Sequence, residues 1–267
     1  AGSIVDPSDS RKLKQSGLIH IVTASGLQVF VLAFLLFQLL RFLPASRPAQ
    51  IVVVASILCL YALAAGLNPA VVRASVMSIL ALSAHLFRRE PDALSSLALA
   101  GIGYLLWNPH AVYSPGFALS FVTVACVALF FKRAPIDLSD RRQLLLRWSN
   151  DFLCLSWVIC VAALPLSAYY FGVVSAVSVL SNLLVAWCTP LLVGGSILTY
   201  VLSTVLPTVA AAISSHILGP LSQWVLTVLD WTGGEGSSLN LPPFSGYWLV
   251  LFYGALILTV RRRVVQP

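Results

Sequence analysis

Charge is scarce in this chain. Of its 267 residues, 9% are Asp, Glu, Lys or Arg, against about a quarter in soluble domains. With 59% hydrophobic residues and a mean hydropathy of +0.92, the shortage excludes a soluble globular domain and points to a polytopic membrane protein. Between Phe152 and Leu229 there is no Asp, Glu, Lys or Arg, and His216 is the one histidine. No G-x-x-x-x-G-K-[ST] run is present, which excludes a phosphate loop of its own and with it a built-in ATPase. The five cysteines (Cys59, Cys126, Cys154, Cys160, Cys188) form no C-x-x-C pair and no zinc-spaced cluster with His. All five sit in apolar runs and read as small buried hydrophobes. The chain starts on Ala1, which suggests a fragment or a processed chain, and the polar first sixteen residues lack the apolar core of a signal peptide.

What is abundant is apolar text in lengths that suit a bilayer. A span takes about 20 residues at about 1.5 Å each. The sequence predicts an all-α, polytopic helix bundle of about nine spans: 18–40, 50–66, 69–87, 92–107, 116–131, 152–171, 189–206, 208–229 and 246–260. The connections at 41–49, 88–91 and 132–150 and the end at 261–267 hold most of the 16 Lys and Arg. Those at 67–68, 108–115, 172 and 230–245 hold none. The two sets alternate, so the basic set is read as cytoplasmic, with the chain start outside and the chain end inside. Arg11, Lys12 and Lys14 run against this pattern. Asp151 inside and Glu235 outside require an odd number of crossings between them. Three crossings leave 173–187 over, read as a re-entrant or interfacial segment buried against protein. The loop 132–150 mixes Leu144, Leu145, Leu146 and Trp148 with five basic residues. It suits an interfacial helix on anionic lipid, or a docking surface for a polyanion or cytoplasmic partner.

Within the apolar text, polar side chains mark the candidate site. Gly17 to Val29 holds His20, Thr23, Ser25, Gly26 and Gln28. Such groups need partners where no water reaches them, so they line a wet path or lock helix to helix. Arg73 lies five residues into a span that starts at Pro69, beside a stripe of Ala70, Ala74 and Ser78 that permits close helix contact. It snorkels outward or points into the bundle, where a guanidinium would attract a phosphate. Asp92 after Pro91 is helix-start chemistry. Tyr104, Trp107 and Tyr113 suit an aromatic belt or a stacking surface for bases. Asn182 within an apolar run wants a partner.

In order, Gly17-Leu18-Ile19-His20, Ala24-Ser25-Gly26-Leu27, Arg73-Ala74 with Met77, Asp92 with Leu97-Ala98, Pro109, Gly116-Phe117 with Leu119-Ser120-Phe121, Pro165-Leu166 with Tyr170-Phe171-Gly172, and Asn182-Leu183 resemble the transmembrane competence domain of the ComEC family. Those proteins carry single-stranded DNA across the bacterial cytoplasmic membrane during natural transformation. The resemblance covers about 17–260 and divides the chain into a polar segment 1–16, a transmembrane competence domain 17–263 and a tail 264–267. Gln28 stands where the family usually has His, and Ala118 where it usually has Gln.

The resemblance implies a multi-pass channel in the inner membrane for single-stranded DNA, with no enzymatic activity and no cofactor of its own. His20, Thr23, Ser25, Gly26, Gln28, Arg73 and Asn182 would be its lining or locking residues. It also implies membrane lipid, an extracytoplasmic DNA receptor and a cytoplasmic helicase-like ATPase as partners. The family's metallo-β-lactamase-like nuclease would need an H-x-H-x-D-H run, which this chain lacks. Three other readings compete. A small-anion secondary transporter suits broken helices and a lone Arg. An intramembrane hydrolase on Ser25 and His20 fits poorly, because i, i+5 residues on a helix point about 140° apart. A scaffold would use the polar groups only to lock helices.

Overall fold

The computed structural model describes residues 26–42, 44–130, 141–175, 177–233, 238–240 and 245–265. Helices α1 (Gly26–Leu40), α2 (Arg47–Ala64), α3 (Pro69–Leu86), α4 (Ala93–Trp107) and α5 (Pro115–Phe130) form the first half, with a 3₁₀ turn at Pro109–Tyr113. The second half contains α6 (Arg141–Phe171), strand β1 (Val173–Ser175), α7 (Ser178–Ala186), α8 (Thr189–Ser203) and α9 (Pro207–Ile213). A π-helical turn at Ser214–Leu218 leads into α10 (Gly219–Thr232), strand β2 (Ser238–Asn240) and α11 (Tyr247–Val265).

The helix ends follow local chemistry. Asp92 caps α4, its carboxylate accepting from the Ser95 N–H at 2.9 Å. Prolines open α2, α8 and α9, where a missing N–H costs nothing. Between α2 and α3 the chain turns through Gly66 and Leu67, both at positive φ. Tyr104 of α4 donates to the Leu67 carbonyl at 2.9 Å and holds that non-glycine residue in its left-handed conformation.

Four helical stretches are long and apolar enough to cross a bilayer: Arg47–Ala64, Asn150–Phe171, Leu183–Ser203 and Pro207–Thr232. Five more apolar stretches are shorter: Gly26–Leu40, Pro69–Ala84, Ala93–Trp107, Pro115–Phe130 and Tyr247–Leu256. A 15-residue helix such as α4 extends about 22 Å, short of the ~30 Å hydrocarbon core.

Three expectations change. The helix expected at 152–171 begins at Arg141, so the polar end of the basic loop is wound into a 31-residue helix about 46 Å long. The segment 173–187, expected to be re-entrant or interfacial and buried against protein, forms β1 and the nine-residue α7, with Ser181 and Val185 fully buried. β1 pairs antiparallel with β2, Val174 opposite Leu239, which adds a small ribbon to the expected all-α fold. Cys126, Cys160 and Cys188 are buried, but Cys59 and Cys154 are exposed on α2 and α6. On a surface meant for lipid, a thiol need not be hidden.

The core of the first half joins Val29 and Ala33 of α1, Val54, Leu58 and Ala62 of α2, and Val71 and Ala74 of α3. A second cluster gathers Val185, Cys188, Val228 and Leu229. Helix α1 packs on α2, α3 and α8 and so joins the halves. Gly194 of α8 lets Val31 and Leu35 come close. Outward surfaces are apolar: Phe30, Leu60 and Val250 are each more than 60% exposed. Water would penalise that pattern and lipid does not.

Candidate functional site

The polar centre of the first half is built on Arg73. Helix α3 presents Ala70, Ala74 and Ser78 along one stripe, and Ala74 and Ser78 are buried. The start of α1 lies on that stripe: a Cβ at Gly26 would stand 3.3 Å from the Ala74 Cβ and 3.6 Å from the Ala70 carbonyl oxygen. Arg73 lies beside the stripe and reaches across to α5. Its Nε donates to Ser120 Oγ at 2.7 Å. Nη1 lies 3.7 Å from Met77 Sδ, a weak acceptor one turn along. Nη2 lies against the bare Cα of Gly26, so close that a Cβ there would come within 2.5 Å. The half-buried guanidinium thus joins α1, α3 and α5, and the described parts of these three helices contain no Asp or Glu.

Aromatic packing fixes the Ser120 end. Phe117 and Phe121 stack at 4.2 Å, Tyr104 stacks on Phe117 at 6.0 Å, and Gly101 of α4 leaves room for the Phe121 ring. Helix α5 therefore cannot rotate easily, and Ser120 stays aimed at Arg73.

The other site residues are placed apart. Gln28 lies two residues beyond Gly26, about 160° around α1. Its Oε1 is 3.5 Å from the Tyr61 hydroxyl of α2, a long contact. Asn182 belongs to α7, which packs on α6, α8 and α10. His20, Thr23 and Ser25 lie outside the described residues. Ala118 likewise stands about 160° around α5 from Ser120, so it is not on the face that meets Arg73. Sequence reasoning missed Ser120 as the partner of Arg73, although Ser120 is in one of the stretches that carry the resemblance. Two shallow apolar recesses, of about 390 and 410 Å³, lie at Pro165 beside α11 and along Thr208–Ile217; neither is lined by Arg73.

A family model described as Competence protein matches residues 2–265. ComE operon protein 3 of Bacillus subtilis (strain 168) is 28% identical over 171 residues, 63% of this chain and 21% of that protein. An uncharacterized protein of Aquifex aeolicus (strain VF5) is 32% identical over 123 residues, 46% of this chain and 29% of its own length. The matched parts thus span less than a third of these relatives. No solved structure matches the chain.

Proposed function

The chain belongs to the Competence protein family, and from that premise we propose that it is the membrane-embedded conduit through which single-stranded DNA crosses the bacterial cytoplasmic membrane during natural transformation. The observation that carries the reading is Arg73. It is a cation held between three apolar helices with, among the described residues, a hydroxyl and a thioether as partners and no carboxylate on those helices. Hydrocarbon rejects a phosphate backbone, so a strand needs such groups along its route. Gly26 and Ser120 belong to the same cluster. His20, Thr23, Ser25, Gln28 and Asn182 would contribute elsewhere along the path or lock its walls. The chain would be a multi-pass inner-membrane protein with no enzymatic activity, surrounded by lipid. It would receive DNA from an extracytoplasmic receptor, and the strand would leave toward a cytoplasmic helicase-like ATPase.

The test is a deletion strain given fluorescently labelled DNA. Label should bind the cell surface and fail to reach the cytosol; cytosolic label at the parental level sinks the reading. A cation without a carboxylate also suits a small inorganic anion. Vesicles of the purified protein that pass phosphate or chloride without any nucleic acid would favour that second reading.

A further inference from the structure

We propose that Arg73, pinned by Ser120, is a fixed site for one phosphodiester monoanion of a passing strand, read through its charge and not its base. This rests on the DNA-uptake reading above. A guanidinium carries five N–H donors in a rigid fork. Ser120 takes the Nε donor at 2.7 Å, and Met77 offers Nη1 only a soft sulfur. Among the described residues no further acceptor takes the terminal Nη pair, which leaves its donors for an incoming oxygen. Both partners are neutral, and no Asp or Glu lies on the described lengths of α1, α3 or α5. A half-buried cation so placed is stabilised by an anion from outside the helices.

The two neighbours have separate duties. Ser120 fixes the plane of the fork by holding Nε. Gly26, having no side chain, lets Nη2 reach the backbone of α1. Both are positioning residues. Arg73 is also the one Lys or Arg on the described parts of α1, α3 and α5. A single cation gives a contact weak enough to release, and a conduit needs binding that permits leaving as well as arrival. Arg73 stands roughly 6 Å along the axis from the start of α3, on the side that the charge pattern puts outside. The outer connections at 67–68, 108–115, 172 and 230–245 carry no Lys or Arg, so the site would act early in passage.

The same chemistry exists in a lipid headgroup, and the experiment separates the sources. The full chain, purified in detergent, is titrated with fluorescent oligothymidylate across a salt series. Each phosphate contact adds about 0.7 to the slope of log affinity against log salt for single strands. Arg73→Ala should reduce that slope by about 0.7, and Arg73→Lys should keep it. Ser120→Ala should keep the slope while weakening binding several-fold, and Ser120→Thr should restore the affinity. An Arg73→Ala protein with the parental slope overturns the site, because a purely structural Arg would not contribute to it. The same series with phosphatidylglycerol is the second arm: dependence on Arg73 there and not with oligothymidylate assigns the site to lipid and overturns the strand. Parental protein that binds no oligothymidylate removes the DNA reading and this site together. Parental binding that is indifferent to Arg73 removes the site alone.

Discussion

Gly26 shows how one missing side chain sets the position of another. A Cβ there would come 2.5 Å from Arg73 Nη2, yet no closer than 3.3 Å to anything else. The flexible guanidinium would have to leave its place, and the Ala74 Cβ, fixed to its helix, would have to give by a few tenths of an ångström. Gly26→Ala should therefore transport DNA several-fold less well per molecule, in transformation assays scored against membrane protein level. A Gly26→Ala strain that transforms at the parental rate would show that the position of Nη2 does not matter. Arg73 stood out in the sequence as a lone Arg beside a small-residue stripe, and the structure places it where α1, α3 and α5 meet. Its partner did not stand out, since Ser120 lies 47 residues away and nothing local signals the pairing. Gln28 shows the opposite outcome. It shares a sequence motif with Gly26, but the helix turns it toward Tyr61 on another face.

At the level of elements, boundaries were readable where a proline or a cap sets them, as at Pro69 and Asp92. They were hidden where polar text is helical, as at the start of α6. The long α6 has a weak point at Pro165, whose ring removes a rung of the backbone ladder. Tyr253 of α11 donates its hydroxyl to the carbonyl of buried Ala162 at 2.6 Å, in the broken turn. The carbonyl that loses its helical donor to Pro165 is that of Val161, so Tyr253 bonds the carbonyl next to the freed one and braces the same turn. Tyr253→Phe should cost about 1 kcal/mol, seen as a lower melting temperature in detergent, and should cost less in a Pro165→Ala background. Equal costs in both backgrounds would uncouple the tyrosine from the proline.

On the scale of the whole molecule, the composition already announced a membrane bundle, and the outward faces of Phe30, Leu60 and Val250 agree with it. Charge patterning assigns sides wherever basic residues mark a connection. It is silent at Thr204–Leu206, between α8 and α9, where no charge exists. Here the β1–β2 ribbon helps. Val173 is paired with Asn240 and Ser175 with Ser238, so the chain leaves and returns at one depth. In a bilayer, whatever lies between would traverse it an even number of times. Two passages, α8 and then α9 continuing into α10, satisfy that parity with α7 staying on the side it started from. A cysteine replacing Val205, in a background without the five native cysteines, should react with a membrane-impermeant maleimide only in inverted vesicles. Labelling from the cell exterior would mean that α8 does not cross between the ribbon and Val205, or that the ribbon lies on the cytoplasmic side. Six paired residues would then set the sidedness of everything threaded between them: an arithmetic constraint on topology, written in backbone amides where the side chains say nothing.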